Sequence, residues 1–399
     1  MIRFKNMGME FPKPEIVKLG NHTKQYKIRN RKQLPLEIYS VNNEVGFLPQ
    51  TEQFEEAGYL DGADTSIYMI VPPKHFAYNP ARIDVGSIGY QNLDKEVQVS
   101  SLYEVFSTDE KINDKYLWYW FHTDYFKKLV LKYQEGGVRQ YYYYDKLELA
   151  DIKLPSIKEQ KKIAEFFSLV DEKINIQDKR LKTLEERKKG LLQHIFSQEI
   201  RFKNDDGSEF PDWEEQLLSD ILIERKEKST GKEEVYSVSV SKGLVNQIEH
   251  LGRSYAAEDT SKYKIIRPGD VVYTKSPTGD FKWGIVKQSM IDKKVIVSPL
   301  YGIFIPKSEA FGFILDAYFS SSVRAHNYLI TQIRKGAKNT INITNDVFLE
   351  KEILLPTSDN ECKKIKKFVK LLDEQIRIEK DKLESIKQIK KGLLQQMFI

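Results

Sequence analysis

The nine residues KKGLLQHIF at 188–196 return almost unchanged as KKGLLQQMF at 390–398. An offset of 202 residues aligns 159–196 with 361–398, and 18 of the 38 pairs are identical, among them Lys161/Lys363, Ile163/Ile365, Asp171/Asp373, Glu172/Glu374 and Leu181/Leu383. Weaker matches extend upstream. KLPS (153–156) answers LLPT (354–357), SSLY (100–103) answers SPLY (298–301), and EGGVRQ (135–140) stands where RKGAKN (334–339) stands. After the first copy comes EIRFKNDDGSEFPDW (199–213), and the chain opens with MIRFKNMGMEFPKP (1–14). A repeat this long is no solenoid. It means two similar domains, each followed by a similar connector, with bounds at 1–153, 154–198, 199–353 and 354–399. A length of 399 residues agrees, at about 150 residues per domain.

Each connector carries a heptad stripe. Ile163, Phe167, Val170, Ile174, Gln177, Leu181, Leu184, Lys188, Leu191 and Ile195 are spaced alternately four and three apart. The second copy places Ile365, Val369, Leu372, Ile376, Glu379, Leu383, Ile386, Lys390, Leu393 and Met397 in the same way. Apolar a/d positions with Lys and Glu elsewhere predict a coiled coil, and the two connectors are the natural partners for each other. The polar breaks Gln177/Glu379 and Lys188/Lys390 fall at matching seam positions, where such residues fix register. At 1.5 Å per residue each helix is about 57 Å long, a length expected to set the distance between the two domains.

The domains between the connectors read as α+β. Short β-rich runs such as IYMIV (67–71), YKIIRPGDVVY (263–273), WGIVK (283–287) and YGIFI (301–305) alternate with turns. Late in each domain stands one aromatic helix, expected over 115–133 and 312–333.

Catalytic patterns are missing. STGKEE (229–234) lacks the upstream Gly and the following Ser/Thr of a phosphate loop. The six histidines are scattered, and neither a nucleophile elbow nor the Asn/Asp-Pro-Pro-aromatic motif of an adenine methyltransferase is present. Asp212, Glu224 and Lys226 imitate the carboxylates and lysine of a metal-dependent nuclease. The duplicated segment FPKPEI (11–16), however, has Lys in place of the Asp, so the imitation is not repeated. No metal site is expected. The one cysteine, Cys362, excludes an intrachain disulfide, and no apolar run reaches membrane-spanning length, so the expected compartment is the cytoplasm.

The positive signals are basic and aromatic. The run HTKQYKIRNRK (22–32) carries Lys24, Tyr26, Lys27, Arg29, Arg31 and Lys32 with no acid. GGVRQYYYY (136–144) joins Arg139 and Gln140 to four tyrosines, which as a strand would bury alternate rings. In the second half, Lys242 precedes KSPTGDFKWGIVK (275–287), which offers Lys275, Ser276, Lys282 and Trp283; RKGAKNTIN (334–342) adds Arg334, Lys338 and Asn339. Basic loops neutralise phosphates, and Arg, Lys, Gln and Asn also read base edges. Each loop alone suits ordinary solvated surface equally well. Their recurrence at equivalent places in two repeats favours nucleic acid.

The whole chain resembles the specificity subunit of type I restriction–modification systems. The features that carry the likeness are two α+β halves, two near-identical heptad helices, an LP opening and KKGLLQ ending to each helix, and IRFK…FP opening each half. The resemblance implies two target recognition domains, each reading one part of an asymmetric, bipartite sequence in double-stranded DNA. It implies that the two helices pack as an antiparallel coiled coil in a pseudo-twofold tandem repeat. That coil would act as spacer and dock two methyltransferase subunits, with restriction subunits joining the larger complex. The seam residues Ile163, Phe167, Val170, Ile174, Leu181, Leu184, Leu191, Ile365, Val369, Leu372, Ile376, Leu383, Ile386 and Leu393 would carry that docking role. The subunit would be non-catalytic, with S-adenosylmethionine, ATP and Mg²⁺ used by its partners. A fused or degenerate DNA methyltransferase or nuclease, and a coiled-coil scaffold that binds only proteins, are the alternatives.

Overall fold

The computed structural model describes residues 11–42, 46–53, 64–137, 140–252, 259–332, 334–335 and 341–398. The chain divides into two compact units, one formed by residues 1–179 with 380–399 and the other by 180–379. The cut therefore passes through both connectors, and each unit holds one domain with a segment of each long helix.

In the first unit, strands Thr23–Gln25, Glu104–Thr108, Phe76–Tyr78 and Ile88–Tyr90 form a four-stranded antiparallel sheet in that spatial order. Side chains alternate across a strand, and the two faces take different cores. Phe76, Tyr78 and Phe106 pack against Trp120, Phe121 and Phe126 from the helices, while Ala77 and Val105 face Val97, Val99 and Tyr39. Two further antiparallel pairs, Met69–Val71 with Val97–Val99 and Tyr39–Asn42 with Gly46–Pro49, complete the second layer. The ends of the domain are tied together, because Glu15–Lys18 pairs antiparallel with Asp151–Leu154.

The second unit repeats this plan. Leu222–Glu224, Gly302–Pro306, Val271–Tyr273 and Val286–Gln288 make the four-stranded sheet. Val271, Tyr273 and Phe304 lie in the helix-side core, and Val272 and Ile303 in the opposite one. Glu214–Leu217 pairs with Glu352–Leu355, as the equivalent strands do in the first unit. Even surface ion pairs recur: Lys95–Glu37 at 2.6 Å corresponds to Lys293–Glu234 at 2.7 Å.

Two local expectations, the unbroken aromatic helices and the tyrosine strand, are corrected. Each expected long aromatic helix is broken in two, into Asp124–Tyr133 preceded by Asp114–Phe121, and Ser322–Leu329 preceded by Glu309–Phe319. The breaks fall at Thr123 and Ser321, both extended, whose side chains accept from the N–H groups of Phe126 and Arg324. Each is an N-cap, and capping a new helix there satisfies its first donors. The run 263–273 is two strands, Lys264–Ile266 and Val271–Tyr273, separated by a turn with Gly269 at φ +83°. The tyrosine tract is not a strand, since Tyr144–Leu147 is a short helix. Its burial still alternates: Tyr142 and Tyr144 are buried and Tyr143 is 44% exposed.

The connectors are continuous helices, Ile157–Phe196 of 40 residues and Asp359–Met397 of 39, each about 60 Å long. Within the first unit their segments run antiparallel, with Lys390 beside Asp171 and Phe398 beside Phe167. Within the second they do the same, with Lys188 beside Asp373 and Arg180 beside Glu379. Every residue of the expected seam is buried or half-buried. Toward the helix ends the burial moves one residue on: Leu192 and Leu394 are more enclosed than Leu191 and Leu393. No described helix is long and apolar enough to cross a membrane.

Candidate nucleic-acid interface

In the first unit the basic run leaves the sheet edge at Gln25 and forms a loop reaching Ile38. Lys24, Lys27, Arg29, Arg31 and Lys32 are all exposed, and none makes an ion pair with a described carboxylate. Tyr26 is half-buried, edge-on to His75 with centroids 5.1 Å apart. The loop is not slack. Ile70 N–H donates to Ile28 O and Asn30 N–H to Tyr68 O, both at 2.8 Å, and Gln33 N–H closes the tip on Asn30 O. Gln33 takes φ +48°, so Arg31 and Lys32 occupy a tight turn.

The aromatic hairpin meets the base of this loop. Glu135 and Tyr141 bridge antiparallel, and Tyr141 and Tyr143 stack with centroids 5.5 Å apart. Thr23 Oγ1 lies 2.9 Å from the Tyr144 hydroxyl, and Gln25 Nε2 donates to Glu104. Burial raises the Glu104 pKa, while the Gln25 hydrogen bond and the Lys27 charge oppose that rise and Asp145 adds to it. Gln140 is exposed at the hairpin; Arg139 lies outside the described residues.

The expected residues of the second unit are not brought together in one place. Lys275 is half-buried at φ +60°, and burial lowers its pKa, helped by Lys264. Its backbone is enclosed by Gly284, where a Cβ would stand 2.7 Å from Lys275 N, so only glycine fits. Ser276 and Lys282 are exposed on the same loop. Trp283 is partly buried; its indole N–H donates to His326 Nδ1 at 3.1 Å, and its carbonyl accepts from Tyr273. That ring is committed to the domain. Lys242 instead lines a cleft of about 390 Å³ with Lys188, Lys287, Asp316 and Asp373. Arg334 opens the short strand Arg334–Lys335, paired with Ile341–Asn342, and Lys338 and Asn339 lie outside the described residues.

The structural counterpart of the first basic loop is 224–234, which sequence reasoning did not single out for nucleic acid. Lys228 bridges Lys264 and Val235 bridges Ile296, as Arg29 bridges Met69 and Ile38 bridges Gln98. Arg225 is spent on Asp270 through bonds of 2.7 and 2.9 Å, but Lys226, Lys228 and Lys232 are exposed. The phosphate-loop-like STGKEE sits here with its Ser229 and Thr230 donors already occupied. Glu233 accepts from Ser229 Oγ, Thr230 N–H and Thr230 Oγ1 and pairs with Lys294 at 3.0 Å. Those bonds hold its carboxyl well below the usual range. The nuclease-like trio disperses as well: Asp212 is fully exposed near Arg201, whereas Glu224 accepts from Asn345. Among the described residues no His/Cys/Asp/Glu group is arranged to hold a metal ion.

Comparison with known proteins places this geometry. Residues 43–186 match the family model of the type I restriction modification DNA specificity domain. The type I restriction enzyme MjaVIII specificity subunit of Methanocaldococcus jannaschii is 27% identical over 421 residues, covering 98% of this chain and 94% of that one. Among solved structures, a chain described under complex assembly and conformational transition of the type I R-M system aligns with a TM-score of 0.60. It is 13% identical, over 98% of this chain and 99% of that one. The type I restriction–modification S subunit from M. genitalium aligns at 0.52 with 14% identity, over 96% of each chain. These solved chains share the fold. Residues 43–186 thus match the specificity domain, and from end to end the chain is similar to a DNA specificity subunit of a type I restriction–modification system.

Proposed function

We propose that this subunit reads a bipartite, asymmetric DNA site, one half with each unit, and that loops 26–37 and 224–234 are the main contacts. One observation carries the reading: the two units share strand order, bridges and ion pairs, yet differ in these loops. A shared frame bearing different cationic loops suits two different half-sites on one duplex. Cations in such loops bind phosphates, while neighbouring polar groups reach base edges. The paired connector helices would carry two methyltransferase subunits and, through the assembled complex, restriction subunits. Methyl transfer and cleavage, with S-adenosylmethionine, ATP and Mg²⁺, would belong to those partners. The solved relative described under complex assembly of a type I system supports assembly with other subunits.

The test is methylation mapping of DNA from cells that carry this subunit and its methyltransferase. Two unlike half-sites separated by a fixed unread spacer are expected. A palindrome or one unbroken block would overturn the reading. Methyl transfer or cleavage by the purified chain alone would overturn the division of labour.

A further inference from the structure

The two recognition loops stand on the same bridges but are held by different devices. In the second unit the fastening is Glu233 with Ser229, Thr230 and Lys294. In the first it is a pair of neutral amides, Asn30 and Gln98, only 1% and 2% exposed. Asn30 Nδ2 donates to Leu34 O and to Gln98 Oε1, both at 2.9 Å, and its Oδ1 accepts from Leu34 N–H at 2.8 Å. Gln98 Nε2 in turn donates to Leu36 O at 2.7 Å. Gln98 sits in the middle of strand Val97–Val99, so the loop is pinned to the domain core at both sides of its tip. Buried amides satisfied this fully hold one geometry, because any other leaves a donor or acceptor unpaired in a dry site. The turn they close carries Arg31 and Lys32 outward.

We propose that Asn30 and Gln98 are positioning residues for half-site recognition: they set the shape in which Arg29, Arg31 and Lys32 meet the duplex. The proposal rests on the DNA reading above and adds to it a buried, non-contacting determinant of specificity. Its position in the repeat supports it. The counterpart of Gln98 is Ile296, bridged to Val235 as Gln98 is to Ile38, so the amide lock is private to the first unit. A lock needed only for the shared fold would be shared.

The experiment measures binding of the full chain to duplexes carrying its mapped site, the first half-site altered, or the second half-site altered. Asn30→Ala is expected to lose roughly tenfold in discrimination at the first half-site, as one or two buried hydrogen bonds are worth. Discrimination at the second half-site should persist. The salt dependence should stay as in wild type, because every cation remains. Asn30→Ser, whose hydroxyl can still accept from Leu34 N–H, should fall between. Combining Asn30→Ala with Arg29→Ala, Arg31→Ala and Lys32→Ala should cost no more than the three cation changes alone, since the amide acts through them. Full additivity would overturn the proposal, as would loss of both half-sites together in the Ser and Ala variants. If Arg29→Ala, Arg31→Ala and Lys32→Ala together leave binding unchanged, the loop itself is no DNA contact and the underlying reading fails. If those changes weaken binding but Asn30→Ala does not alter discrimination, only the positioning role fails.

Discussion

The ammonium of Lys390 lies 2.5 Å from the carboxylate of Asp171, and in the other unit Lys188 pairs with Asp373 in the same way. The offset of 202 residues relates both partners, so one ion pair is made twice. Each lysine occupies a seam position that would otherwise take an apolar residue. Asp171 also accepts from the Tyr119 hydroxyl at 2.8 Å, which joins the coil to its domain. Lys390→Met and Lys188→Met should each destabilise by about 1–2 kcal/mol, as expected for partly buried charged hydrogen bonds. The two losses lie in separate units and should add in urea titrations of the double variant. Strong coupling between them would contradict the division into units.

Removing Lys27, Arg29 and Arg31 together should weaken DNA binding and flatten its salt dependence. Each lost phosphate contact removes about 0.9 from the slope of log K against log salt, so the fall should reach up to about three. Binding measured across a salt series checks it, and an unchanged slope removes the loop from the interface.

Ile174→Asp combined with Ile376→Asp places a charge in the half-buried seam of each unit. Unpaired charge there typically costs several kcal/mol. Co-purification of methyltransferase subunits should fail while the domains keep their near-ultraviolet signatures. Normal recovery of two methyltransferase copies would relieve the seam of any docking role.

Chimeras give a further check. The strands Glu214–Leu217 and Glu352–Leu355 pair with each other and close the second domain. Exchanging 218–351 for the matching segment of another specificity subunit keeps that pair from one parent. It should change one half-site and leave stability within about 1 kcal/mol. A junction at 353 splits the pair between parents and should unfold at lower urea. Simultaneous change of both half-sites would refute independent reading.

The ring of His122 packs on the Trp118 indole with centroids 4.3 Å apart, and its Nδ1–H donates to Trp118 O at 2.7 Å. Burial holds its pKa below the ordinary value, and the Lys390 ammonium acts in the same sense. The unfolded chain therefore takes up this proton first. Stability is full above the unfolded histidine value of about 6.5 and declines as pH falls from there toward the lower folded value. Thermal unfolding from pH 7 to 5 should show the decline, and His122→Phe should reduce it.

The coiled-coil seam was legible because a 3.5-residue period survives in side-chain type alone; Ile163, Phe167, Leu181, Ile365, Val369 and Leu383 are all buried. The helix breaks at Thr123 and Ser321 were hidden because aromatic residues continue on both sides, and the deciding signal is one capping hydroxyl. The basic loop of the first domain stood out because no acid dilutes it. Its counterpart escaped because Glu224, Glu227, Glu233 and Glu234 offset Lys226, Lys228 and Lys232 in composition, although Glu227 and Glu233 are tied up in pairs with Arg267 and Lys294. Trp283 was misleading for the opposite reason: an aromatic beside basic residues suggests stacking, and here its N–H is already bonded inside the domain.

Residues 180–379 are contiguous, so everything the second unit needs emerges from the ribosome in one piece. The first unit instead closes its core with Leu394 and Phe398, the latter 4.8 Å from Tyr116 between ring centroids. The domain synthesised first must therefore wait for some 200 later residues before its coil and its aromatic floor are covered. At 5–20 residues per second the delay is roughly 10–40 s. Through that interval Phe167 and Tyr116 lack their final neighbour, and the earlier half of the chain depends on the later half to finish folding.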